Sequence, residues 1–249
     1  MLEAADIIVP DWPAPRGVKA LFTTRLGGVS VGDFASLNLG AHVGDDPAAV
    51  VENRRRLREL LPVTPQWLNQ IHGCAVHTIV DADVRASART ADAQLTSLSG
   101  FPCAVLVADC LPLLLCDSSG TNVAAAHAGW RGLAAGVIER TIESMPVASR
   151  DVIAWLGPAI GPSAFEVGRD VVDAFAKTDF ESRRAFQPVA GSEGKYLADI
   201  FALARQRLAI AGVVQIYGGG ECTVSAPDRF FSHRRDGRSG RMAAVIWRE

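Results

Sequence analysis

Two imidazoles and one thiol stand out in this chain: His72 in NQIHG, Cys110 in VADCLP and His127 in AAAHAGW. Each ends or interrupts an apolar, strand-like run, and each is followed by glycine, proline or another small residue. Two His and one Cys are the protein ligands of one type of catalytic zinc site, which keeps a fourth position for water or substrate. Singly, each has a plain explanation. A buried Cys is a small hydrophobe, and a lone His is often a hydrogen-bonded core residue. The shared turn chemistry after all three favours a common site. Rigid strand ends hold ligand geometry well. Cys110 lies between Asp109 and Leu111-Pro112, where the chain is expected to leave regular pairing. His127 comes just before Ala128-Gly129-Trp130, at an expected strand-to-helix transition that can turn free N–H groups towards an anion. Gly73, after His72, admits close approach of another group.

Further candidates cluster near these three. Asp109 suits a hydrogen-bond partner of the ligands or a general base, with a simple turn cap as the plain alternative. Arg25 precedes Leu26-Gly27-Gly28, a setting for forked recognition of phosphate or carboxylate. Arg25, Asp109 and Cys110 are thus the candidate catalytic residues. Arg25, Asn69 and Gln70 are the candidate substrate contacts. Strand alternation puts Cys74 on the face of His72 and turns His77 away, so His77 is read as structural. Cys103 and Cys116 are expected in the core, and His42 at the surface. The arginines of RFFSHRRDGRSGR form either an anion site or a solvated turn balanced by Asp228 and Asp236.

The elements that must position these residues follow from periodicity. Strands are expected over 18–24, 66–70, 75–80, 103–108, 113–116, 121–127, 152–156, 213–217 and 242–247. A helix should open at Asp45-Asp46-Pro47 and stop at Pro62. Others are expected over 131–145, 170–177 and 198–211. Residues 25–44 and GPAIGPSAFEVG read as loops. Without a repeat or a long linker, residues 1–249 are expected to form one α+β domain with mixed sheets.

Composition narrows the classes. A chain of 249 residues with 49% hydrophobic and 21% charged residues can bury a large core. A net charge of -2 gives no global attraction for nucleic acid or an anionic membrane. The longest apolar run, 104–116, is broken by Asp109 and Pro112 and is too short to span a bilayer. The first residues lack the basic and apolar regions of a signal peptide. Five Cys, an odd number set largely in apolar runs, argue for reduced thiols and a cytoplasmic protein.

Taken together, FTTRLGGVS, SLNLGAHVGDD, ENRRRL, NQIHG, ADAQLT, ADCLPLLLCD, AAAHAGWRG, WLGPAIGP and FFSHRRDGRSGRMA resemble the YfiH family, also called laccase-domain or polyphenol oxidase proteins. The likeness runs along nearly the whole chain. It implies a four-layer α/β/β/α sandwich and Zn2+ held by His72, Cys110 and His127. It implies purine nucleoside phosphorylase activity on adenosine, inosine and methylthioadenosine, with adenosine deaminase activity beside it. Purine nucleoside and phosphate are then the small-molecule partners. The chain departs from the family pattern at Ser163-Ala164 and at His233, where Tyr is usual.

The residues also allow other chemistry. Cys110 as nucleophile with His127 as base would make a cysteine hydrolase, and the family carries a claim for editing of peptidoglycan precursors. A multi-copper polyphenol oxidase is disfavoured, because five His are too few for several imidazole-bound coppers. A non-catalytic binding protein would need a fourth protein ligand to close the zinc site.

Overall fold

The computed structural model describes residues 2–80 and 88–249. Its centre is the strand Leu111–Asp117 (LPLLLCD), buried at every position. Apolar residues fill both faces of this strand because both faces are covered. Leu113 and Leu115 point towards helices. Leu114 and Cys116 point towards a second sheet. A six-stranded mixed sheet surrounds it, in the order Gln215–Gly218, Val152–Leu156, Leu111–Asp117, Val123–Ala128, Ala93–Thr96, Val76–Ile79. The two outermost pairings are parallel and the three inner ones antiparallel.

The second sheet is antiparallel, with the order Ile7–Ile8, Val18–Thr23, Met242–Arg248, Cys103–Val107. Phe22, Val105, Val107, Met242 and Ala244 meet Leu114, Cys116, Val123 and Trp155 between the sheets. On the outer face of the four-stranded sheet, Leu21, Ala104, Leu106 and Val245 pack with Leu57 of the helix Pro47–Arg58. On the outer face of the six-stranded sheet lie the helices Trp130–Ala135, Val137–Ser144, Arg169–Ala176 and Ile200–Ile210. Three apolar interfaces therefore separate four layers, in the expected order α/β/β/α.

Several expected elements change at their ends. The helix expected over 131–145 is broken at Gly136, whose φ of 97° is left-handed and caps one helix while opening the next. The strand expected to begin at Leu113 begins at Leu111, so Pro112 lies inside it and Cys110 directly precedes it. The strand expected over 66–70 shrinks to Leu68–Asn69, paired with Arg89–Thr90. The strand Ala93–Thr96 escapes the periodicity reading because it buries polar residues. Its Gln94 is fully enclosed, bonding Gln66 O at 2.6 Å and Ala104 N at 2.9 Å. Cys103 and Cys116 are core residues, as expected.

A candidate metal centre at the end of the six-stranded sheet

Strand register builds the site. Leu111 lies opposite Ala128, and Pro112 opposite His127, so Cys110 comes level with Gly129. On the other side of the Val123–Ala128 strand, Ala93 lies opposite Ala126. His127 N then donates to Asp92 O at 2.7 Å. The loop before Val76–Ile79 brings in His72, whose ring meets that of His127 edge-on, 4.8 Å between centroids. The ligand atoms of His72, Cys110 and His127 all lie within 4.8 Å of one another. Among the described residues they form the one His/Cys/carboxylate group that could hold a metal ion. His72 is exposed, Cys110 half-buried and His127 buried, so the group opens to solvent on one side.

The backbone is strained at this place. Among the described non-glycine residues, His72 (φ 61°) and Asp109 (φ 82°) are the two with positive φ. Surrounding bonds hold both in this unfavourable region. The buried Asp92 carboxylate accepts the N–H groups of Ile71, His72 and Gly73 at 3.3, 2.9 and 2.7 Å. Asp109 accepts Thr223 Oγ1 at 2.5 Å and Arg234 N at 2.6 Å, and its carbonyl accepts Ile160 N.

Asp92 also reaches His127. Its Oδ1 lies 2.9 Å from Nδ1 of His127, and the carboxylate is fully buried. A carboxylate on one ring nitrogen fixes the tautomer and frees the other for a metal, the outer-shell arrangement of metal-binding histidines. Such a partner is one of three roles expected of Asp109, beside general base and turn cap. Asp109 instead ties the Cys110 turn to the C-terminal segment, and Asp92 takes the orienting role. Only ADAQLT pointed near it, since nothing local marks a single Asp before a polar strand.

The electrostatics favour a charged Cys110–His127 pair. Burial pushes the Cys110 thiol up, but the neighbouring His127 and His72 outweigh it and bring the thiol down to about 6. Burial pushes the His127 imidazole down, while Cys110 and Asp92 outweigh it and raise it to about 9. The donor set fits a thiophilic, imidazole-binding ion. Gly129 keeps room for it, because a Cβ there would stand 2.8 Å from Cys110 Sγ and 3.1 Å from His72 Cδ2.

A cavity of about 180 Å³ opens beside His72 and Cys110, walled by Trp130, Ile160, Phe165 and Ile200 and edged by Arg131, His233 and Arg234. Not all the expected contacts reach it. Arg25 is absent from its lining; its Nε donates to Ala35 O at 2.8 Å, its Nη1 to Pro227 O at 2.9 Å, and it stacks on Phe231. Gln70 is joined through both ends of its amide to Leu106. Asn69 faces out, with Nδ2 3.3 Å from Thr90 Oγ1. These two expected substrate contacts lie outside the cavity lining, whereas the unforeseen Trp130, Phe165 and Arg131 are in it, with Arg234 of the C-terminal arginine cluster. His77 bonds Gln66, as a structural residue should.

Fold and site together define a two-sheet sandwich with a His/Cys/His centre, and comparison with known proteins gives the class its family. The chain belongs to the YfiH family, whose model, described as multi-copper polyphenol oxidoreductase laccase, matches residues 19–249. It is 55% identical over 240 residues to a Pseudomonas aeruginosa protein named purine nucleoside phosphorylase PA4543, covering 96% of this chain and 97% of that one. It is 53% identical to the purine nucleoside phosphorylase YfiH of Escherichia coli, with 98% and 99% covered. Among solved structures, Neisseria meningitidis protein NMB0706 is similar at a TM-score of 0.93 and 50% identity, covering 98% and 99% of the two chains. YlmD from Geobacillus stearothermophilus is similar at 0.88 and 35%, covering 100% and 98%.

Proposed function

We propose that this chain is a zinc-dependent purine nucleoside phosphorylase acting on adenosine, inosine and methylthioadenosine, with adenosine deamination as a side activity. The observation that carries this reading is the convergence of His72, Cys110 and His127, two of which, His72 and Cys110, line a pocket of about 180 Å³. The names of the relatives above supply the reaction class. His72, Cys110 and His127 would hold the ion, which supplies positive charge and Lewis acidity when bound.

In phosphorolysis a phosphate oxygen bonds to C1′ of the ribose, and the C1′–N9 bond breaks with its electron pair passing to the purine. The chain's own residues prepare this exchange. Asp92 keeps His127 in one tautomer and one orientation. Asp109 joins the Cys110 turn to Arg234, so the ligand and the pocket edge move together. Trp130, Ile160, Phe165 and Ile200 offer apolar faces that match a purine and exclude water. Adenosine should be cleaved to adenine and ribose 1-phosphate only when phosphate is present, by protein carrying roughly one zinc per chain. Conversion to inosine alone, without phosphate, would overturn the assignment in favour of deamination.

A second reading rests on a separate observation. The lowered Cys110 thiol beside the raised His127 imidazole is the charge arrangement of a cysteine nucleophile and its base. A hydrolase of this kind, editing peptidoglycan precursors, would keep its activity after chelation. Loss of all activity with the metal would reject it.

A further inference from the structure

Phosphorolysis brings an anion to the metal centre, and arginine is the side chain whose fork matches phosphate oxygens. Candidates include Arg25, Arg131, Arg234, Arg235 and Arg241. All but Arg131 donate to main-chain carbonyls of the protein. Arg25 donates to the carbonyls of Ala35 and Pro227. Arg234 Nη1 donates to the carbonyl of Glu166 at 2.9 Å and to that of Ala164 at 3.3 Å. Arg235 serves the carbonyls of Thr223, Val224 and Phe230 and pairs with Asp236. Arg241 donates to the carbonyls of Ser239 and Gly240.

Arg131 differs. Among the described residues its guanidinium has no hydrogen bond and no ion pair, while its Cζ lies over the Trp130 ring, 4.5 Å from the centroid. It lines the pocket together with His72 and Cys110, and it is exposed. Stacking holds a guanidinium in place through its face and leaves the N–H donors at its edge unused. A positive fork, oriented but unpaired, on the wall of the metal pocket is what an incoming oxyanion needs.

We propose that Arg131 binds the inorganic phosphate that attacks the nucleoside, an inference that rests on the phosphorylase reading above. Phosphate carries its own nucleophilic oxygen and proton. The oxygen bonds to C1′, the C1′–N9 bond breaks, and the proton ends on the purine. Arg131 transfers nothing; it holds and orients the negative charge.

The test is steady-state phosphorolysis of adenosine by zinc-loaded wild type, Arg131→Ala, Arg131→Lys and Arg25→Ala, with inorganic phosphate varied. Arg131→Ala should raise the KM for phosphate by about tenfold or more, as loss of one charge-assisted contact does. The KM for adenosine and the zinc content should hold. Arg131→Lys should recover phosphate binding in part, since it returns the charge without the fork. If wild type depends on phosphate but Arg131→Ala keeps the wild-type phosphate KM, the inference fails and the phosphorylase reading stands. A rise in phosphate KM for Arg25→Ala with none for Arg131→Ala fails it in the same way. If wild type prefers adenosine 5′-monophosphate, and Arg131→Ala loses only that preference, the anion is the substrate's own phosphate and the inference falls. If wild type shows no phosphate-dependent turnover, both readings fall together.

Discussion

Asp92 grips His127 from behind: its Oδ1 lies 2.9 Å from the imidazole Nδ1, and the same carboxylate gathers the backbone N–H groups of Ile71, His72 and Gly73. One fully buried side chain thus sets the orientation of two candidate ligands from different segments.

Asp92→Asn should therefore weaken zinc by about 10–100-fold, the usual cost of losing an outer-shell carboxylate. Asp92→Ala should also cost stability, about 1–3 kcal/mol for the buried His127 Nδ1–H left unpaired. Chelator competition and urea denaturation read the two effects. Wild-type zinc affinity in Asp92→Asn would remove Asp92 from the metal site.

Cys110→Ala should strip most of the zinc, because it deletes the one anionic ligand of the three. Elemental analysis of the purified variant decides the matter, and full zinc occupancy would dismiss the assignment.

Gly129→Ala is a steric test of the same site. Gly129 has φ −60° and ψ 154°, which alanine accepts without strain. The added methyl would nevertheless stand 2.8 Å from Cys110 Sγ. The variant should fold and lose metal affinity, seen as a smaller gain in melting temperature on adding zinc. An unchanged gain would mean that the ligands do not need this space.

The metal-free protein should reveal the Cys110–His127 pair by its pH dependence. A lowered thiol pKa means that the thiolate, the reactive form, persists to lower pH. Alkylation at Cys110, followed by mass spectrometry, should rise through pH of about 6 and level off above it. His127→Ala should shift the rise upward, towards the ordinary cysteine value of about 8.5. A wild-type rise already centred at that value would refute the pairing.

Much of this molecule was legible in its residues, and the reason is local. His72, Cys110 and His127 each carry turn chemistry beside them, and these are the residues that meet. The strand Val152–Leu156 announces itself as a short apolar run between a helix and a glycine. Leu113 and Leu115 alternate with Leu114 and Cys116 along a run buried on both faces, which only a sheet covered on two sides accepts. Such signals depend on neighbours in the chain.

What the tertiary structure alone decided depends on partners distant in the chain. Asp92 reads as one acidic residue among many until strand register sets it beside His127, 35 residues away. Arg25 carries the same fork as Arg131, and its Gly-rich setting suits an anion. The fold gives Arg25 the carbonyls of Ala35 and Pro227, and leaves Arg131 stacked and, among the described residues, unpaired. A guanidinium is available to a ligand only when nothing else claims its donors. That is a property of the packed surroundings, to which the sequence around an arginine is blind.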